Sequence, residues 1–248
     1  MVSKDKTSLN SLSEATRGRA AFSGHDGALG AAGYREASFD PDNSDFLQLP
    51  GQSISVSPGA NGFESILIGV KWDHMMIQDT SFLGKLMNKK KTRPVDLDLG
   101  CLYEMQDGTR GAIQAFGKKF GAYEEPPFIR LSGDERTGET EGVDEMIAIN
   151  GAHWDKIKRL LVYIYIYDGA PNWQQINPHL IIDVPGEDDL VVTLGAHDDR
   201  LSLCAVGGLE QVRGGIKLTN YTEYFPGHDE MDRAFGYGLE WGDGWKDL

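Results

Sequence analysis

From about residue 47 onward the chain alternates apolar and polar positions with a period of two. In residues 64–72, Ile66, Ile68, Val70 and Trp72 share one face and Ser65, Gly69 and Lys71 the other, as a strand with one buried face requires. Residues 95–105 set Asp96 and Asp98 against Val95, Leu97 and Leu99. In residues 157–167, Val162, Ile164 and Ile166 oppose Tyr163, Tyr165 and Tyr167. Sheet packing is the expected use of that aromatic strip, since aromatic rings favour strands. Weaker segments of the same kind occupy 47–57 (one edge strand with a turn in it), 111–116, 144/145–150, 180–184, 190–194, 201–206, 209–212 and 216–219.

Turn signals separate them at 58–62, 106–109, 151–155 and Gly214-Gly215. Many short strands at regular spacing predict an all-β, two-sheet β-sandwich in one domain. Pairing 64–72 antiparallel with 95–105 would bring Asp73 to Asp96 and Asp98. Pairing 144/145–150 with 157–167 around the 151–155 turn would bring Asp144 and Glu145 to Asp168. Whether these two ends form one pole does not follow from the pattern.

Two stretches depart from alternation. Residues 74–93 interrupt it with a helix capped by Asp79 and carrying Phe82, Leu83, Leu86 and Met87, then the basic run Lys89-Lys90-Lys91-Thr92-Arg93. In 228–239, Met231, Ala234, Phe235 and Gly238 fall at helical spacing, which predicts a short C-terminal helix packed over the sandwich. Residues 1–45, rich in Ser, Gly, Ala, Asp and Lys, read as a disordered leader. The expected organisation is a leader at 1–45 and one domain at 46–248, with an insertion at 74–93.

Charge narrows the function. The 38 acidic residues outnumber 24 basic ones, for a net charge of −14. Such a chain repels phosphate backbones, which argues against general nucleic-acid binding and favours cations or basic partners. No apolar run reaches the roughly 18 residues of a membrane span, and the N-terminus has no apolar signal core. Cys101 and Cys204 form no CxxC pair and read as buried, reduced thiols of a cytoplasmic protein.

Residues 131–145 concentrate the acids. Asp134, Glu135, Glu139, Glu141, Asp144 and Glu145 oppose Arg136 alone, among Gly133, Gly138 and Gly142. Such carboxylates repel one another unless neutralised. A Ca²⁺ ion, taking roughly six to eight oxygen ligands from a flexible loop, would neutralise them; a solvated acidic turn is the alternative. No segment has the EF-hand spacing, so the ligands must come from separate loops of a β scaffold.

The strings Val95-Asp96-Leu97-Asp98-Leu99-Gly100-Cys101-Leu102-Tyr103-Glu104 and Gly133-Asp134-Glu135-Arg136-Thr137-Gly138, the latter followed by Glu139, Glu141-Gly142 and Asp144-Glu145, carry a resemblance. With Gly69-Val70-Lys71-Trp72-Asp73 and Ile164-Tyr165-Ile166-Tyr167-Asp168-Gly169, they resemble the TerD-domain family of bacterial tellurium-resistance and stress-response proteins. The TerA branch is matched further by Asp107-Gly108, Glu125-Pro126-Pro127-Phe128-Ile129, Asn150-Gly151 with Trp154-Asp155-Lys156-Ile157-Lys158-Arg159, Gly169-Ala170-Pro171-Asn172-Trp173, and Gly227-His228 with Glu230-Met231-Asp232-Arg233-Ala234-Phe235. The resemblance spans roughly 47–245. It implies a calcium-binding β-sandwich without established catalysis, in the cytoplasm or at the inner face of the membrane, assembling with other tellurium-resistance proteins. The candidate Ca²⁺ ligands are Asp73, Asp96, Asp98, Asp134, Glu139, Asp144, Glu145 and Asp168, with Arg136 paired to a neighbouring carboxylate.

Two other readings stay open. A Ca²⁺-dependent lipid- or carbohydrate-binding module would use Trp173, beside Asp168, and the Lys89–Arg93 patch. A hydrolase would draw on His153, His179, His197 or His228, but no nucleophile elbow, His-Glu-x-x-His or phosphate loop is present.

Overall fold

A computed structural model describes residues 44–72, 77–78, 92–93, 96–132, 145–168, 173–194 and 197–242. The expected sandwich is there. Among the described residues one sheet has seven strands in the order β1-β13-β12-β3-β10-β9-β8, and the other six, β2-β15-β14-β11-β6-β7. In the first, β1 is Ser44–Leu47, β3 Ser65–Lys71, β8 Gly121–Ala122, β9 Ile129–Leu131, β10 Glu145–Asn150, β12 His179–Asp183 and β13 Asp189–Thr193. In the second, β2 is Ser53–Val56, β6 Asp96–Met105, β7 Arg110–Ile113, β11 Ile157–Asp168, β14 Leu203–Val212 and β15 Gly215–Phe225. Pairing is antiparallel except between β1 and β13. Two short strands, β4 (Ile77–Gln78) and β5 (Thr92–Arg93), pair with each other.

The predicted alternation supplies the core. Ile66, Ile68, Val70 and Trp72 from one sheet meet Leu97, Leu99, Val162, Ile164 and Ile166 from the other, all buried. Each such side chain contributes about 1.5–3 kcal/mol on leaving water.

A second apolar layer lies on the outer face of the six-stranded sheet. There Leu102, Leu161, Tyr163, Leu203 and Phe225 pack beneath Met231 of the C-terminal helix (His228–Phe235) and Tyr237 beyond it. Tyr163 and Tyr165 of the tyrosine strip are thus packing surface, as the strip's composition predicts, while Tyr167 at its end is exposed. The helix is shorter than the 228–239 periodicity suggests. Gly236 takes a left-handed φ of 68° and its N–H returns to the Asp232 carbonyl, a glycine stop that periodicity alone does not register.

Pairing differs from expectation at several points. β3 does not pair with β6: they belong to opposite sheets, and β3 lies between β12 and β10. Nor do β10 and β11 form a hairpin. A 3₁₀ turn (Gly151–Lys156) carries the chain from one sheet to the other, anchored by Trp154, which is buried and donates its indole N–H to the Gly215 carbonyl at 3.2 Å. Gly151 permits the crossing, because a Cβ there would stand 2.0 Å from the Glu64 carbonyl oxygen.

The single edge strand expected at 47–57 is two strands, β1 and β2, on different sheets. The two segments 201–206 and 209–212 are one strand, β14. Its Gly207-Gly208 pair is not a break: both glycines stay in the ladder, just after a bulge between Ala205 and Gly207, and Tyr221 lies across the backbone, 2.5 Å from where a Gly208 Cβ would be. β15 runs on to Phe225, past the expected end at 219. β1 begins at Ser44, just inside the expected leader. Residues 1–43 and the helix expected from Asp79 lie outside the described residues.

Candidate functional site

Register settles which strand ends share a pole. Glu145 opens β10 opposite Val70 near the end of β3, and Val70 pairs on its other side with Leu180 of β12. In the other sheet, Asp96 at the start of β6 stands opposite Asp168 at the end of β11, and Asp98 opposite Tyr165. β7 pairs only with Cys101–Glu104 of β6. Ahead of that stretch a side chain replaces a strand: Glu145 Oε2 accepts the backbone N–H of Leu99. This one contact bridges the sheets. It places the end of β3, the starts of β6 and β10 and the end of β11 at a single pole, even though the pairings assumed from sequence are not the ones that form.

Asp98 and Glu145 are each only 2% exposed. Burying two carboxylates is costly unless charge or hydrogen bonds compensate. Beside them, Tyr163 donates its hydroxyl to Gln114 Oε1 at 2.6 Å. Its phenol is pushed well above the ordinary tyrosine value, first by burial and then by the negative charge of neighbours including Asp98 and Glu145. Gly100 makes room for this ring: a Cβ there would lie 2.3 Å from it.

Of the eight candidate ligands, the structure therefore brings four strand positions to one pole: Asp96, Asp98, Glu145 and Asp168. Asp73, Asp134, Glu139 and Asp144 lie outside the described residues, as do Arg136 and Lys89–Lys91. The described residues flanking the acidic loop, Ser132 and Glu145, both stand at this pole, where Ser132 Oγ accepts the Met146 N–H at 2.9 Å. Among the described residues no group of three His, Cys, Asp or Glu side chains converges.

The histidines are dispersed. His153 stacks on Phe128, ring centroids 4.1 Å apart, on the turn at the far end. His179 is buried at the start of β12 opposite Lys71, and His197 is exposed. His228 sits among the rings of Tyr163, Tyr165, Phe116 and Trp241, at centroid distances of 5.1, 5.3, 6.1 and 5.0 Å. Burial lowers its pKa to about 4, so it is neutral at physiological pH. Cys101 and Cys204 are buried, and burial pushes both thiols far up. They hold their protons at neutral pH, which withholds the reactive thiolate. Trp173, a candidate ligand contact on the lipid- or sugar-module reading, is fully buried. Its indole N–H goes to the Leu201 carbonyl at 2.7 Å and its ring packs on Tyr224.

One cluster was not anticipated from sequence. Glu104 is buried on the outer face of β6, where Oε1 accepts from Lys158 Nζ at 2.7 Å and Arg110 Nη2 at 3.2 Å, and Oε2 from Arg159 Nε at 2.7 Å. Arg159 also donates to the carbonyls of Phe235 and Gly236, and Arg110 to that of Tyr237. Asp232 completes the fastening. Its carboxylate takes the N–H groups of Gly238 and Leu239, both at 2.7 Å, and the indole N–H of Trp241 at 2.8 Å. The available signal was phase: Glu104 shares the face of Asp98, Gly100 and Leu102, and Lys158-Arg159 opens the strand that pairs with it.

Among the described residues no helix is long and apolar enough to cross a membrane. The TerD domain model matches residues 48–181, more than half of the chain. The tellurium resistance protein TerA of an Alcaligenes species is 36% identical over 195 residues, covering 78% of this chain. The aligned region is 56% of that relative, so the chain spans little more than half its length. From its two-sheet architecture and these matches, this chain belongs to the TerD domain family.

Proposed function

We propose that this protein is a non-enzymatic, calcium-binding scaffold of a bacterial tellurium-resistance and stress-response assembly, working in the cytoplasm or at the inner face of the membrane. The observation that carries the reading is the pole at which buried Asp98 and Glu145 meet the strand positions of Asp96 and Asp168. Carboxylate oxygens suit a hard divalent cation, and their mutual repulsion is what such an ion relieves. Asp73, Asp96, Asp98, Asp134, Glu139, Asp144, Glu145 and Asp168 would hold it. When bound, Ca²⁺ supplies positive charge that ties together loops leaving different strands; protein partners then meet an ordered pole.

The experiment is a thermal-shift and calorimetric titration of the full chain with Ca²⁺ and Mg²⁺. A ligand bound by the native state alone, at one hundred times its Kd, stabilises by about 2.7 kcal/mol. Ca²⁺ should raise the melting temperature saturably, and Asp98→Asn should weaken the response. An unchanged melting curve across the series, with Asp98→Asn indistinguishable from wild type, sinks the calcium reading. Tellurite survival of cells expressing the wild type or Asp98→Asn tests the resistance role separately. A Ca²⁺-dependent lipid- or carbohydrate-binding module is the second reading, favoured by Tyr167, which is 43% exposed at this pole and packs against Phe116 at 5.5 Å. Co-sedimentation with anionic vesicles only when Ca²⁺ is present would favour it.

A further inference from the structure

At the end of the sandwich away from the carboxylate pole, a cleft of about 320 Å³ opens between the β6–β7 turn, the Pro126–Phe128 corner and the 3₁₀ crossing. Its walls are apolar. Met105 and Phe128 are buried, and Tyr103 and Pro127 are half-buried. The Tyr103 ring lies over Gly111, where a Cβ would stand 2.4 Å from the hydroxyl, so the ring is a flat platform close to the backbone. Phe128 holds a left-handed φ of 63°, a conformation that costs a bulky residue energy and gathers at ligand clamps.

The rim is charged. Asp107 and Asp155 line it, and among the described residues neither is paired with a cation. Asp107 accepts the Thr109 N–H at 2.8 Å, which helps hold its carboxyl below the usual range and therefore ionised. The third rim charge, Lys156, lies 4.8 Å from the centroid of the Phe128 ring, so that aromatic surface already carries a cation. What the cleft offers a newcomer is two carboxylates on a lining that also holds a tyrosine ring and apolar side chains.

We propose that this cleft receives an arginine side chain of a partner protein. A guanidinium is planar, stacks on aromatic faces and donates in a fork to carboxylates, while its methylene stem lies against apolar wall. A chain of net charge −14 draws basic partners to it by long-range attraction. The site is independent of the carboxylate pole, so it stands whether or not calcium binds there.

The test is calorimetry and amide chemical-shift mapping on the full chain with three blocked tripeptides, Gly-Arg-Gly, Gly-citrulline-Gly and Gly-Lys-Gly, each with and without Ca²⁺. Agmatine serves as a free guanidine. The expected result is saturable binding of the arginine peptide, with shifts at Tyr103, Asp107 and Asp155. Lysine should bind more weakly and citrulline not at all. Asp107→Asn and Asp155→Asn are both at exposed positions, and their melting curves verify folding. Each should weaken binding about tenfold, the worth of one charge-assisted hydrogen bond. Absence of saturation, citrulline binding as well as arginine, or affinity unchanged in Asp155→Asn overturns the proposal. Agmatine binding as tightly as the peptide overturns the assignment to a protein partner.

Discussion

Replacing Glu104 by Gln removes the one carboxylate that Lys158, Arg110 and Arg159 share, while keeping its size. In the folded protein the hydrogen bond from Lys158, with those from Arg159 and Arg110, holds the Glu104 pKa at about 2 against an ordinary 4.5. At 1.36 kcal/mol for each factor of ten in acidity, that difference corresponds to about 3 kcal/mol of stability. The figure sits at the low end for a broken buried pair, as it should, because Lys158 and Arg110 are 53% and 40% exposed and can return to water. Because the folded pKa is the lower one, this stabilisation is complete above pH 4.5 and is lost as the pH falls toward 2. Urea unfolding of wild type and Glu104→Gln across that range should therefore show a gap of about 3 kcal/mol near neutrality that closes under acid. Since Arg159 also holds the carbonyls of Phe235 and Gly236, amide exchange in 231–241 should accelerate in the variant. A gap below about 1 kcal/mol, or one that does not change with pH, would refute the reasoning.

Other perturbations give separate readouts. Gly151→Ala places a methyl 2.0 Å from the Glu64 carbonyl. As this obstacle is backbone, a loss of at least the 1–3 kcal/mol typical of overpacking is expected in chemical denaturation. His228 has a folded pKa of about 4, set by burial, against an ordinary 6.5. The unfolded chain takes up the proton first, so wild-type stability should fall between pH 6.5 and 4. His228→Phe should flatten this part of the pH profile in thermal melts, and an unchanged slope would exclude His228 as its source.

Period-two alternation made the strands and their buried faces legible, because each apolar face had to meet another. It could not say which sheet a strand joins. Inner-facing Ile68 and inner-facing Leu99 carry the same signal whether they are neighbours in one sheet or opposed across the core. The 151–155 turn illustrates the limit. Its composition reads as a hairpin, while the anchoring of Trp154 on Gly215, more than sixty residues away, makes it a crossover. The common end of Glu145 and Asp168 survived this error because hairpin and crossover both return the chain to the same end; that β3 and β6 meet it there follows only from the register and the Glu145–Leu99 contact. Glu104 was invisible as a site because its meaning depends on Arg159 and Lys158 standing across the ladder, and on a helix terminus over seventy residues further on.

Strand order also bears on how the molecule is made. β1 finishes at Leu47, but its partner β13 begins only at Asp189, and β2 pairs with β15, at Gly215–Phe225. At 5–20 residues per second, β1 waits roughly ten seconds on the ribosome for its neighbour. Folding cannot close from the N-terminus inward. A fragment ending at residue 181, where the family match stops, would lack β13, β14 and β15 and expose the edge of β11. Such an edge pairs readily with other chains. For this protein a premature stop is therefore an aggregation hazard, and the C-terminal strands are what make the N-terminal ones soluble.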